Sequence, residues 1–168
     1  MDELIDILNE EGEFTGETKL KSYAHRMGLF HSTVHIWFYT ANGELLIQQR
    51  GKNKNTYPLR WDVSVAGHVG AGESIDISAI REVEEEIGIK IKTDQLTKIG
   101  VFKSVQKHSR ELIDCEFHHT FVSKLLVPFS RLRKQDSEVE NLAMIHIDKF
   151  EKEILIDVEK NEYVPHDT

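Results

Sequence analysis

The chain has 168 residues, of which 39% are hydrophobic and 30% charged, and a formal charge of −8. That is enough chain for one globular domain with a real core, and too acidic for bulk nucleic-acid binding, which depends on Lys and Arg neutralising phosphates. No apolar run reaches membrane-span length, the first residues (MDELIDILNE) are acidic where a signal peptide is basic, and Cys115 is alone, so a cytoplasmic protein without disulfides or cysteine-held zinc is expected.

Residues 3–9 read as a strand and 13–16 as a second short extended piece, followed by a basic helical segment over 19–27 that ends at Gly28. Residues 30–40, rich in β-branched and aromatic side chains, predict a strand. Asn42-Gly43 is a strong hairpin signal, with residues 44–50 returning as its partner. The polar stretch 51–60, carrying Pro58, is a loop. No acidic residue occurs from 45 to 61, yet Arg50, Lys52, Lys54 and Arg60 do, a local reversal of sign suited to phosphate contact. A strand over 61–66 leads into the central stretch, with Trp61 read as core and Tyr57 as able to stack on a base. Strand-like segments follow at 89–91, 96–106 and 112–127, with a turn at 107–111. Beyond Pro128 come a polar connection, a strand over 142–147, and a short helix through about 154 that Asp148 caps, then a loosely held tail after 159. One α+β domain built on a mixed sheet accounts for this order.

The central stretch, 67–89, reads GHVGAGESIDISAIREVEEEIGI. Ser74 or Asp76 can cap its helix and Gly88 fits the left-handed position after it. At 100° per residue, Glu82, Glu85 and Glu86 leave one side while Ile77, Ile80, Val83 and Ile87 leave the other. Three carboxylates at i, i+3 and i+4 repel one another by a few tenths of a kcal/mol per pair. A hard divalent cation with oxygen ligands is the natural way to offset that repulsion.

By spacing, Gly67, Glu73, Arg81-Glu82, Glu85-Glu86 and Gly88, with aliphatic Val83 and Ile89 in register, fill every position of the Nudix box. The chain therefore resembles the Nudix family. The resemblance implies a Nudix fold, a mixed sheet sandwiched between helices, with its core over about 30–155 and residues 1–29 packed on it as an extension of a single domain over 1–168. It also implies hydrolysis of a diphosphate linkage in a small phosphorylated substrate, such as a nucleoside diphosphate derivative, with Mg²⁺ or Mn²⁺. Carried over residue by residue, Glu82, Glu85 and Glu86 become metal ligands with the Gly67 carbonyl in addition. Glu73 and Arg81 become a structural pair, and Glu84 stays a solvated charge. Arg50, Lys52 and Lys54 are the expected phosphate contacts. Charge neutralisation and water activation by carboxylate-held Mg²⁺ are what such a reaction needs.

A narrower resemblance joins the Thr15-Gly16, Ala24-His25, Leu29-Phe30-His31 and Ala66-Gly67-His68 segments, with the Asn42-Gly43 hairpin and the basic loop between them. In that order they are similar to type 1 isopentenyl-diphosphate isomerases, a branch with a metal site of histidines and acids. That resemblance implies His25, His31, His68, Asp114 and Glu116 as a second metal site. Those enzymes carry a catalytic cysteine directly before the Gly-His, where this chain has Ala66, which can neither donate nor accept a proton. A hydrolase of the isomerase-like branch is therefore expected, with an isomerase and a non-catalytic nucleotide-binding module as the alternatives. Glu116 is read as a further ligand or the general base, with Glu138 as its rival. At His118-His119, strand alternation sends one ring inward and the other outward. A second copy of the chain stays open as a partner, with neither nucleic acid nor membrane expected.

Overall fold

In the computed structural model, which describes residues 1–159, the chain runs β1 (Leu4–Leu8), β2 (Phe14–Leu20), α1 (Lys21–Met27), β3 (His31–Tyr39), β4 (Glu44–Arg50), β5 (Trp61–Asp62), β6 (Val65–His68), α2 (Ile75–Ile87), β7 (Thr97–Lys107), β8 (Ile113–Lys124), β9 (Val139–His146) and α3 (Ile147–Glu159). β1 and β2 form their own hairpin. The other strands make a mixed sheet of order β5-β4-β3-β8-β7, with β6 also on β3 and β9 also on β4. Among the described residues, only β3 and β8 run parallel. This is the expected α+β architecture, and the expected tail after 159 lies outside the described residues.

The Asn42-Gly43 turn forms, but the two strands it joins share one residue pair, Tyr39 with Leu45, before they part. β3 then pairs with β6 and β8, while β4 pairs with β5 and β9. At the fork the fully buried Ser64 hydroxyl accepts from the Phe38 N–H and donates to the Leu46 carbonyl, satisfying backbone groups that a continuous ladder would have paired. The expected single strand over 61–66 is thereby two strands in different arms of the sheet. The fork widens into the cleft that holds the candidate site.

Strand alternation gives β3 two unlike faces. Val34, Ile36 and Phe38 are fully buried in one apolar cluster with Ala79, Val83 and Ile87 of α2. The intervening His31, Thr33 and His35 face the cleft side. α2 is capped by Ser74, whose hydroxyl accepts from the Ile77 N–H, and ends on Gly88 at φ 73°. Its buried stripe is rotated from the expected one: Ile77 is 55% exposed, whereas Glu82 and Glu86 are only 8% and 6% exposed beside Val83 and Ile87. The acidic side is thus split, with Glu85 left exposed. Residues 89–91 form no strand; Ile89 and Ile91 pack as half-buried side chains against the core instead. Trp61 is 39% exposed rather than core, because on β5, the last strand of its arm, Asp62 is the residue that turns inward. Asp148 lies in the first turn of α3 rather than at its cap. No helix among the described residues is long and apolar enough to cross a membrane.

The N-terminal hairpin and α1 pack on this body. The Ala71 N–H donates to the Leu4 carbonyl, the Asp6 carboxylate accepts from the Gly72 N–H, and Leu8 bridges to Phe30. Gly28, at φ 63°, ends α1 and sets His25 beside β6 and β8.

Candidate active site

A cavity of about 400 Å³ opens at the fork, bordered by α1, β3, β6, α2, β8 and the loops 51–60 and 132–138. On its α2 wall the Ala66 N–H, on the unpaired edge of β6, donates to Glu86 Oε2 (3.1 Å), and the Gln48 amide donates to the same oxygen (2.7 Å). Glu82 lies against Gly67 so closely that a Cβ there would stand 2.1 Å from the carboxyl carbon. Gly67 is needed for this approach rather than for a turn, since it sits within β6. Arg81 organises the rest: Nη1 donates to Glu82 Oε1 (2.7 Å), Nη2 to Glu73 Oε2 (2.9 Å) and to the His68 carbonyl (3.1 Å), and Nε to Glu73 Oε1 (3.0 Å). Glu73 also accepts from the Gly70 N–H and the Ser78 hydroxyl.

These contacts give three carboxylates three different electrostatic settings. Arg81 holds Glu73 down at about 2. Burial pushes Glu82 up to about 7, against the pull of Arg81. Burial, with the Glu82 charge next to it, lifts Glu86 to about 8. Two buried carboxyls that resist ionising, each with one oxygen already fixed by a donor, suit a divalent cation that would replace their protons.

The opposite wall carries histidines. His31 Nε2 and His68 Nε2 each lie 3.5 Å from Glu116 Oε1, and His25 Nε2 lies 3.4 Å from Asp114 Oδ1. One donor atom from each of His25, His31, His68 and Glu116 falls within 4.8 Å of all the others. The Nε2 atoms of the three histidines are buried and have no hydrogen-bond partner. His31 Nδ1 donates to the Leu29 carbonyl (2.9 Å), so a neutral ring turns its Nε2 lone pair toward the cluster, while without a metal burial is outweighed by Glu116, which raises His31 and favours its charged form. Metal–ligand bonds of about 2.1 Å hold neighbouring donor atoms roughly 3 to 3.5 Å apart, a spacing that the two Glu116 contacts already have, so this set could hold a metal ion with a small contraction. Burial disfavours the Glu116 charge, yet His31 and His68 outweigh it and hold the carboxyl well below its usual range.

The structure thus brings Gly67, Glu82, Glu85, Glu86, His25, His68, Asp114 and Glu116 to one cavity, with His31 directly behind Glu116. It treats the three basic residues differently. Lys54 lines the mouth, where its Nζ meets Glu138 Oε2 at 2.6 Å. Arg50 reaches the wall but is 7% exposed and holds the loop, donating to Asp62 (3.1 Å) and to the Thr56 carbonyl (2.9 Å). Lys52, in the turn at 51–54, is exposed and does not line the cavity. Glu84 is exposed, 3.4 Å from Lys90.

A family model described as NUDIX domain matches residues 29–166. The chain belongs to the Nudix family. Nudix hydrolase 3 of Arabidopsis thaliana is 34% identical over 99% of this chain, which spans only 22% of that protein's length. The isopentenyl-diphosphate Delta-isomerase of Serratia proteamaculans is 30% identical over 73% of this chain and 66% of its own. Among solved structures, DR0079 from Deinococcus radiodurans matches with a TM-score of 0.71 over 95% of this chain and 97% of that one, at 20% identity, a likeness of fold. Nudix proteins generally use divalent metals, in keeping with the carboxylates of α2.

Several residues of this Nudix site escape a motif reading. Thr33 and His35 line the cavity from β3, and His118, 2% exposed, stands behind Glu116 with Nδ1 3.5 Å from Glu116 Oε2 and 2.8 Å from Thr33 Oγ1. Their signal was a polar residue at every second position, His31-Thr33-His35 and Asp114-Glu116-His118, alternating mostly with apolar neighbours such as Val34, Ile36, Cys115 and Phe117. Glu3 and Lys21, also on the cavity, come from the N-terminal segment and carry no such signal.

Proposed function

We propose that this Nudix protein hydrolyses a diphosphate linkage in a small phosphorylated substrate, a nucleoside diphosphate derivative or a nucleoside di- or triphosphate, with Mg²⁺ or Mn²⁺. The observation that carries the reading is the approach of Gly67 to Glu82 beside Glu86: two buried, reluctantly ionised carboxyls at the edge of a polar cavity. Glu82 and Glu86 are the residues to hold the cation, with Glu85 and the Gly67 carbonyl completing the set. When bound, such an ion neutralises the diphosphate and lowers the pKa of the attacking water. Arg81 fixes the Glu82 carboxylate, and Gln48 with the Ala66 N–H fixes that of Glu86. Lys54 draws the substrate's phosphates to the mouth. Glu116 is engaged by His31 and His68, so Glu138, half-exposed beside Lys54, is the better proton acceptor. The histidine wall is a second candidate metal site, of His25, His31, His68 and Glu116 with Asp114 at its margin.

The isomerase reading lacks its acid, because Ala66 stands where those enzymes carry cysteine. A panel of nucleoside diphosphate derivatives, nucleoside triphosphates and prenyl diphosphates with Mg²⁺ or Mn²⁺ tests the proposal. Release of a phosphate-containing product by the wild type, abolished in Glu82→Gln and Glu86→Gln, is expected. Conversion of isopentenyl diphosphate to its dimethylallyl isomer, or equal rates in both variants, would overturn it.

A further inference from the structure

Asp114 faces two ways. Its Oδ1 lies 3.4 Å from His25 Nε2 in the histidine cluster, while its Oδ2 meets His108 Nε2 at 2.9 Å. His108 is not in the cluster, and both partners of this contact are largely buried, 16% and 13% exposed. Local structure explains how His108 gets there. The turn between β7 and β8 closes with the His108 and Ser109 N–H groups donating to the Leu112 carbonyl, which sets His108 opposite Leu112. In an antiparallel ladder a residue shares its face with its partner and with the residue two further along, so His108 reaches Asp114 diagonally. Asp114 itself pairs with Gln106.

Tyr57, from the loop that carries Lys54, packs on His108 of this pair. Its ring stands edge-on to His108, 5.2 Å between centroids, and its hydroxyl donates to Gln106 Oε1 (3.3 Å). The loop accepts an unfavourable backbone to do so: Tyr57 has φ 43° and Leu59 φ 62°, left-handed values that a non-glycine residue adopts at a cost of about 1–3 kcal/mol. Arg50 locks the same loop through the Thr56 carbonyl and hydroxyl.

We propose that His108 is a positioning residue for the histidine metal site, holding Asp114 so that only Oδ1 turns toward His25, and that Tyr57 ties the loop 51–60 to the site through His108. The proposal rests on the reading of the histidine cluster as a metal site. Groups in contact with ligands orient them, and their loss typically weakens binding about 10- to 100-fold. His108 fixes Asp114 without itself reaching the ion. The Tyr57 contact makes the loop bearing Lys54 and the histidine wall one mechanical unit.

The test measures metal binding rather than turnover. In a background carrying both Glu82→Gln and Glu86→Gln, which takes away the two buried carboxylates of the α2 site, the full chain is titrated with Co²⁺ against a chromophoric chelator, and thermal melts are run alongside. His108→Ala should weaken Co²⁺ binding about 10- to 100-fold. His108→Gln, whose amide nitrogen can donate in place of Nε2, should recover most of that loss. Tyr57→Ala should weaken binding less, and Tyr57→Phe, which keeps the ring contact, less again. If His108→Ala binds Co²⁺ like its parent, or if His108→Gln loses as much as His108→Ala, the positioning role is wrong. If His31→Ala leaves Co²⁺ binding unchanged, the histidine metal site itself is wrong and the proposal falls with it. Hydrolysis by the α2 site would stand in either case.

Discussion

Glu86 on α2 and Glu116 on β8 line one cavity with almost the same exposure, 6% and 7%, and pKa shifts of opposite sign. Burial raises Glu86 to about 8, whereas His31 and His68 bring Glu116 well below its usual range. Burial alone therefore decides nothing; the neighbours do. Around Glu86 the donors are neutral, an amide and a backbone N–H, and the nearby charge is another carboxyl. Around Glu116 stand the His31 and His68 imidazoles, 3.5 Å away, which can carry charge themselves. Arg81 serves Glu82 and not Glu86, which the more weakly acting Lys54 does not rescue, whereas the β8 wall partly supplies its own charge.

The largest expected effect tests the α2 wall. Glu86→Gln removes a group that must ionise to hold a cation, so turnover should fall about 10³-fold, while the melting temperature in chelator at pH 8 stays level or rises. Glu116→Gln should do the reverse to stability. It leaves His31 and His68 facing a neutral amide, and breaking a buried pair of this kind costs about 3–5 kcal/mol. If denaturant melts show the two variants equally stable in chelator, the contrast between the walls is false.

Gly67→Ala asks whether approach or fold matters at β6. The added methyl lands on the Glu82 carboxyl, the movable end of a long side chain, so that carboxylate must swing away. Turnover should drop about 100-fold with a loss of less than about 1 kcal/mol in stability, as read by steady-state rates and melts together. A large stability loss with the metal-dependent rate retained would refute the assignment of this contact to metal holding.

A pH series sharpens the same comparison. From the ordinary carboxyl value of 4.5 up to about 8 the unfolded chain has released its Glu86 proton and the folded chain has not. The unfolded state then binds fewer protons, so stability falls as pH rises through that window and levels off above it. Cation binding requires the ionised form and expels the proton. Added Mg²⁺ should therefore raise the melting temperature more at pH 8.5 than at pH 6, measured against chelator at each pH. Equal gains at both would mean that Glu82 and Glu86 are not the ligands.

How much of this was legible in the sequence follows the same division. The α2 wall was, because one helix and its preceding strand hold all its parts and a linear spacing encodes them. What spacing did not show is that Glu82 and Glu86 are buried: a helical wheel places them opposite the apolar residues, and only the fork of β3 from β4 opens the recess they fill. The fork itself escaped notice because Asn42-Gly43 forecasts a turn and cannot forecast how long the two strands stay paired. The histidine wall depends on β3 lying parallel to β8, which sets His31 beside Glu116 across 85 residues of sequence. No local pattern reports that, and only the family likeness did. A basic run likewise says nothing of which side chains a turn leaves exposed, as it does Lys52.

The smallest expected effect lies at the mouth, where the two walls' loops meet. Lys54 and Glu138 are 34% and 40% exposed and pair at 2.6 Å, while the Gly51 N–H donates to the Glu138 carbonyl at 2.9 Å. An ion pair this exposed contributes about 0–1 kcal/mol, and the backbone bond survives its loss, so Lys54→Ala should leave the melting temperature within a degree or two of wild type. Its kinetic effect should be separable from that of the buried carboxylates. A lysine that gathers phosphates at the entrance binds ground state and transition state alike, so KM should rise while kcat changes little, and the rise should shrink with added salt. Glu138→Gln should do the opposite, lowering kcat at nearly constant KM, because a proton acceptor acts only as the reaction proceeds. If both variants moved KM alone, Glu138 would be only the partner of Lys54, and the proton would have to leave by way of Glu116 on the other wall.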